Sequence, residues 1–100
     1  MDVVIDVGVD PPTVRLDSPE DVRSFRAVFA NGPRRPDLSG VADFRHEEFL
    51  WIPASLVEEL AAGQVAPGWD VEFEAMIRFA ESKGWYDERG RRIRAHCVWV

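Results

Sequence analysis

The sequence predicts one small α+β domain over residues 1–100, with a mostly antiparallel sheet, including the N- and C-terminal strands, packed against about three helices. Three observations carry that reading. Apolar residues alternate with a period of two near both ends of the chain, at 3–9 and 92–99. Between them lie apolar stripes spaced by three and four, with no regular strand–helix repeat. Hydrophobic residues make up 46% of the chain and charged residues 30%, which is the balance of a globular domain rather than of a disordered one.

The first strand alternates cleanly. Val3, Ile5, Val7 and Val9 share one face, and Asp2, Val4, Asp6 and Asp10 the other. Pro11-Pro12 ends it, and Thr13-Val14-Arg15-Leu16 reads as a short second strand. Ser18-Pro19-Glu20-Asp21 then has the chemistry of a helix start: a capping hydroxyl, a proline for the first position, and two acids facing the dipole. Val22, Phe25, Val28 and Phe29 supply a stripe, so a helix is expected over 19–30, stopped by Asn31-Gly32-Pro33.

Residues 32–43 read as a long loop, with two Pro, two Gly and no periodicity. Phe49–Ile52 is a continuous apolar run, the pattern of a strand buried on both faces. Pro53 opens a helix over 53–62 that buries Leu56, Val57 and Leu60, and Gly63 ends it. The strongest helix follows at 69–83, with Trp69, Phe73, Met76, Ile77 and Ala80 on one stripe. Trp85-Tyr86 and 92–99 read as a hairpin about Asp87-Glu88-Arg89-Gly90. The expected core is Val3, Ile5, Val7, Phe25, Phe29, Leu50, Ile52, Leu56, Leu60, Phe73, Met76, Ile77, Ala95 and Trp99.

Composition narrows the function classes. The net charge is −6 at pH 7, which argues against binding a nucleic-acid backbone through clustered Lys and Arg. No apolar run reaches the roughly 20 residues that span a bilayer, and the first residues lack the basic-then-apolar order of a signal peptide. The lone Cys97 cannot form an internal disulfide, so a reducing cytoplasm is the expected location. Lys83 is the one lysine among the 12 basic residues, a bias that suits a GC-rich bacterial genome.

Asp6-Val7-Gly8 resembles the end of the first strand in sugar kinases, actin-like ATPases and ribonuclease-H-like nucleases, where the Asp holds a metal or phosphate. Those families add a further antiparallel pair and more acids from later strands. Here Pro11-Pro12 follows and the later apolar run brings no acid, so the acids are read as the wet face of an amphipathic strand. Arg92, Arg94 and His96 alternate with apolar Ile93, Ala95, Cys97 and Trp99. If the chain ends pair, Asp2 and Asp6 fall opposite Arg92 and Arg94. The functional alternative makes the same stripe an anion site, with Arg92, Arg94 and His96 as donors and Trp85 and Tyr86 as stacking faces.

No catalytic pattern emerges. His96 and Cys97 are strand neighbours and point to opposite faces, so they cannot act together. His46, Glu48 and His96 could make a three-ligand metal set, but no His-Glu-x-x-His or Cys-x-x-Cys spacing supports it. No serine sits in a nucleophile elbow, and the glycines fall at stops and turns. The sequence therefore calls for no metal and no cofactor, and leans away from an enzyme. The expected function is a cytoplasmic, non-catalytic interaction, accessory or regulatory module. Its partner is a second protein or a second copy, paired through an apolar C-terminal strand at a sheet edge. The alternative is a binding domain or small enzyme for a small anionic ligand.

Overall fold

The computed structural model describes residues 1–9, 11–32, 43–46 and 49–99, with 43–46 taken as backbone alone. The domain is α+β, but its sheet is mixed. Its strands are β1 (Asp2–Asp6), β2 (Thr13–Asp17), β3 (Arg26–Ala30), β4 (Asp43–His46), β5 (Phe49–Pro53), β6 (Tyr86–Asp87) and β7 (Arg92–Trp99). Two helices, α1 (Ala54–Ala61) and α2 (Trp69–Ser82), are found among the described residues. The sheet order is β2-β1-β3-β7-β5-β4, with β6 alongside the start of β7.

The expected helix over 19–30 does not form. Ser18 takes a positive φ of 50°, whereas a helix-capping residue needs extended backbone. Asp21 instead closes a turn: its N–H donates to the Ser18 carbonyl at 3.1 Å, and its Oδ1 accepts from the Arg23 N–H at 3.1 Å. The chain then extends as β3, because Arg26–Ala30 also alternates. Ala27 and Phe29 go into the core, while Arg26, Val28 and Ala30 go out. Five residues with a central β-branched and an aromatic side chain fill the slot between β1 and β7, and this tertiary gain overrides the local helix signal.

That slot also separates the chain ends. β1 pairs with β2 antiparallel and with β3 parallel, and β3 pairs with β7 parallel. The parallel order follows from the short 18–25 connection, which passes the start of β1 and lets β3 begin at the same end. The Arg26 N–H donates to the Met1 carbonyl at 3.1 Å where they meet. The expected pairing of Asp2 and Asp6 with Arg92 and Arg94 is therefore absent, since β3 lies between them. Nor is the C-terminal strand an edge: β7 is flanked by β3 and β5, which removes the proposed route to a homodimer.

At the other end of β1 and β3 the two chain exits press together. A Cβ on Gly32 would collide with the Val7 side chain, and one on Gly8 would stand 2.8 Å from Asn31 Cβ. The Asp6 carboxylate accepts from the Gly8 N–H at 2.9 Å and from Asn31 Nδ2 at 3.3 Å. Asp6-Val7-Gly8 is thus a strand exit stitched to its neighbour, and β1 lies between β2 and β3 rather than at a sheet edge.

The core lies on one face of the sheet. Val3, Ile5, Ala27, Phe29, Leu50, Ile52, Ile93, Ala95 and Cys97 are buried there under α1 and α2. α1 packs on β5 and also on β2, strands far apart in the sheet order, so the sheet curls around the core. Within α1 the buried residues are Ala54, Val57 and Ala61, and the larger Leu56 and Leu60 stand half-buried at the margin. Small residues on the buried stripe let the helix sit close to the sheet. Trp69 anchors the start of α2, stacking on Phe73 at 4.8 Å and donating its indole N–H to the Pro19 carbonyl at 2.6 Å. Phe29 stacks on Trp99 at 4.2 Å.

The expected hairpin at the end of the chain forms, with Tyr86 opposite Ile93 and Asp87 opposite Arg92. Apart from Gly32 and the backbone of Asp43, the expected loop over 32–43 lies outside the described residues. Among the described residues no helix is long and apolar enough to cross a membrane. Leu50, with no solvent exposure in β5, should carry a large share of the stability. Leu50→Ala is expected to cost about 2–5 kcal/mol in urea unfolding, whereas Val71→Ala on the exposed side of α2 should change stability by less than about 0.5 kcal/mol.

Candidate functional site

The face of the sheet turned away from both helices carries the chemistry. Its composition follows from strand alternation: each residue that flanks a core position in sequence projects to this side. Register then lines up residues from different strands. One row runs Asp17, Asp2, Arg26, His96 and Phe49 across β2, β1, β3, β7 and β5. The next runs Arg15, Val4, Val28 and Val98. Trp51 stands opposite Arg94, and Pro53 opposite Arg92.

Arg94 is the centre of this face. It is half-buried, with its guanidinium carbon 4.1 Å from the centroid of the Phe49 ring and 5.8 Å from that of Trp85. Such stacking holds a planar cation in one orientation while leaving its edge donors available. Among the described residues no carboxylate pairs with it. His96, exposed one register step along, meets the same Phe49 ring edge-on at 5.7 Å. Phe49 is therefore the platform for both. Trp85 leaves the end of α2, with its N–H donating to the Ala80 carbonyl at 2.8 Å, and its ring meets Phe79 edge-on at 6.1 Å.

The five candidate residues thus divide. Phe49 and Trp85 gather around Arg94, and His96 meets Phe49. Arg92 is committed to the hairpin: its Nη2 donates to Asp87 Oδ2 at 2.9 Å and its Nε at 3.3 Å, while its guanidinium lies 5.9 Å over Trp51. Tyr86 sits opposite Ile93, on the core side of β7, and its hydroxyl hydrogen-bonds Arg91, away from Arg94 and His96. The sequence reading missed Phe49 and Trp51 because it took Phe49–Ile52 as buried on both faces. Leu50 and Ile52 are fully buried, but Phe49 and Trp51 are half-buried on the arginine side. The cue was the pair of bulky aromatic rings at alternate positions beside a basic strand.

The ion pairs on this face also differ from expectation. Asp2 takes both arms of Arg26, Oδ1 from Nε at 3.0 Å and Oδ2 from Nη2 at 2.8 Å. The hydrogen bonds from Arg26 hold the Asp2 carboxyl below its ordinary range, against a smaller opposing effect of burial. Asp87 is likewise lowered, first by Arg92 and then by the Gly90 N–H.

Among the described residues no group of three or more His, Cys, Asp or Glu could hold a metal. Glu48 and the His46 side chain, two of the three ligands considered from the sequence, lie outside the described residues. Cys97 is buried in the core with its thiol pushed up to about 11 by that burial, so it acts as a small apolar residue. Comparison with protein-family models, with curated proteins and with solved structures finds no match to this chain.

Two outcomes follow. Because the folded pKa values of Asp2 and Asp87 lie below their unfolded values, their stabilisation is present above the unfolded value of about 3.9 and is lost as pH falls through the folded values. Thermal melts should therefore drop below about pH 4, and Asp2→Asn should make that drop shallower. At pH 8 the native Cys97 thiol should react with a disulfide reagent at least about tenfold more slowly than in denaturant, because burial both raises its pKa and covers it.

Proposed function

We propose that this protein is a non-catalytic interaction module, accessory or regulatory in role, that holds an acidic segment of a partner protein on the helix-free face of its sheet. The observation that carries the reading is the Arg94 guanidinium, with its carbon 4.1 Å from the Phe49 ring centroid and no carboxylate partner among the described residues. A carboxylate docked against its edge would gain a charge-assisted, bidentate hydrogen bond. Arg26 would add positive potential along the same face, reduced by its pairing with Asp2, and the exposed His96 ring would add a hydrogen-bonding group. The helix acids Glu58, Glu59, Asp70, Glu74 and Glu81 are exposed outside this face and would turn away an acidic partner there.

A second reading is an anionic small molecule on Arg94 and His96, favoured by the same donors, which have no carboxylate partner among the described residues. Native mass spectrometry on gently purified protein separates the two. The wild type is expected to retain a second protein, Arg94→Ala to lose it at an unchanged melting temperature, and Arg94→Lys to retain less because an ammonium does not stack or fork as a guanidinium does. Retention should weaken as salt rises. The same second protein at full occupancy on Arg94→Ala would sink the reading. Extra mass on the order of a few hundred daltons, lost in Arg94→Ala, would establish the small-molecule reading in its place.

A further inference from the structure

A shallow apolar groove runs along α2 and leads to Arg94. Val22 forms one wall and Ala75, Met76 and Phe79 the other, around a volume of about 480 Å³. At one end it deepens into a pit of about 100 Å³ lined by Phe25, Trp85, Ile93 and Arg94. Phe79 is 57% exposed here, although the core has no need of an aromatic ring on this side of the helix.

Charge along the groove is polarised. Glu72 stands toward the start of α2. Arg23 borders both groove and pit, Lys83 Nζ lies 5.7 Å over the Phe79 ring, and Arg94 lines the pit. The side chains make a continuous ladder from one surface to the other. Lys83 sits over Phe79, Phe79 meets Trp85 at 6.1 Å, the Arg94 guanidinium carbon lies 5.8 Å from the Trp85 ring, and Phe49 lies beneath Arg94. Groove and cationic face are therefore one surface that wraps around the end of the sheet where β6 gives way to β3.

We infer that the groove seats the apolar residues of the partner segment whose carboxylates Arg94 holds, so that the recognised motif is a short acidic run continuing into a few bulky apolar side chains. This rests on the reading of Arg94 given above. Charge complementarity sets both the occupant and its direction: carboxylates lie against Arg94, Lys83 and Arg23, and the apolar side chains run along Met76 and Phe79 toward Glu72. The groove is open along its length, which suits a segment of polypeptide laid across it.

Fluorescence anisotropy with two labelled peptides tests this on the full chain. One is a short run of alternating Asp and Glu, and the other is that run followed by Leu-Trp-Leu. The longer peptide is expected to bind at least about tenfold more tightly. Phe79→Ser should abolish that difference, so that both peptides bind the variant with the same affinity, and Val71→Ser, also exposed on α2 but outside the groove, should leave the difference intact. Melting curves check that both variants are folded. Equal affinities for the two peptides on the wild type, or a difference that survives Phe79→Ser, would overturn the groove while Arg94-dependent binding of the acidic peptide still stood. Failure of both peptides to bind, or binding unaffected by Arg94→Ala, would overturn the Arg94 reading and the groove with it.

Discussion

The placement of β7 between β3 and β5 is the constraint on which the rest of the domain depends. One strand supplies Ile93, Ala95 and Cys97 to the core and Arg92, Arg94 and His96 to the opposite face. It joins the parallel side of the sheet, β1 and β3, to the antiparallel side, β5 and β4. A slip of one residue in its register would bury arginines and expose the apolar row, so core packing fixes the site as firmly as it fixes the fold. The face that carries Arg94 and His96 is the other side of the strand that holds the core together.

Arg94 illustrates how a charged group can be half-buried without an ion pair. Stacking on Phe49 and proximity to Trp85 offset part of the desolvation, and no carboxylate among the described residues pairs with the guanidinium. Arg92, two residues earlier on the same face, is treated differently. Asp87 neutralises it, and Gly90 is needed there because a Cβ would stand 2.8 Å from both Arg92 Nε and Asp87 Oδ2. One arginine of the stripe thus builds the hairpin, and the other stacks on an aromatic ring with no carboxylate partner among the described residues.

Charge is sorted by layer as well. The chain is acidic overall, at −6, yet the exposed acids of α1 and α2 lie over the core on the side away from Arg94 and His96. Net charge therefore describes the whole molecule poorly as a guide to its partner. A local cationic surface on an acidic protein favours one orientation of approach and repels an acidic partner elsewhere.

Periodicity by itself determined the α+β class, the first and last strands, the strand at Phe49–Ile52, the two helices near 53–62 and 69–83, and the final hairpin. In each of these the local pattern and the tertiary environment ask for the same backbone. It also determined that Arg94 and His96 share a face, because alternation along a strand is a local property. Only the tertiary structure decided that 26–30 is a strand, since its apolar residues fit either period and the slot between β1 and β7 chose the extended one. Strand order, too, was decided there: Asp2 found Arg26 rather than Arg92 because β3 intervenes. The gathering of Phe49 and Trp85 around Arg94 has the same origin. These residues are far apart in sequence, and no local pattern records which strands become neighbours when a shared core is buried.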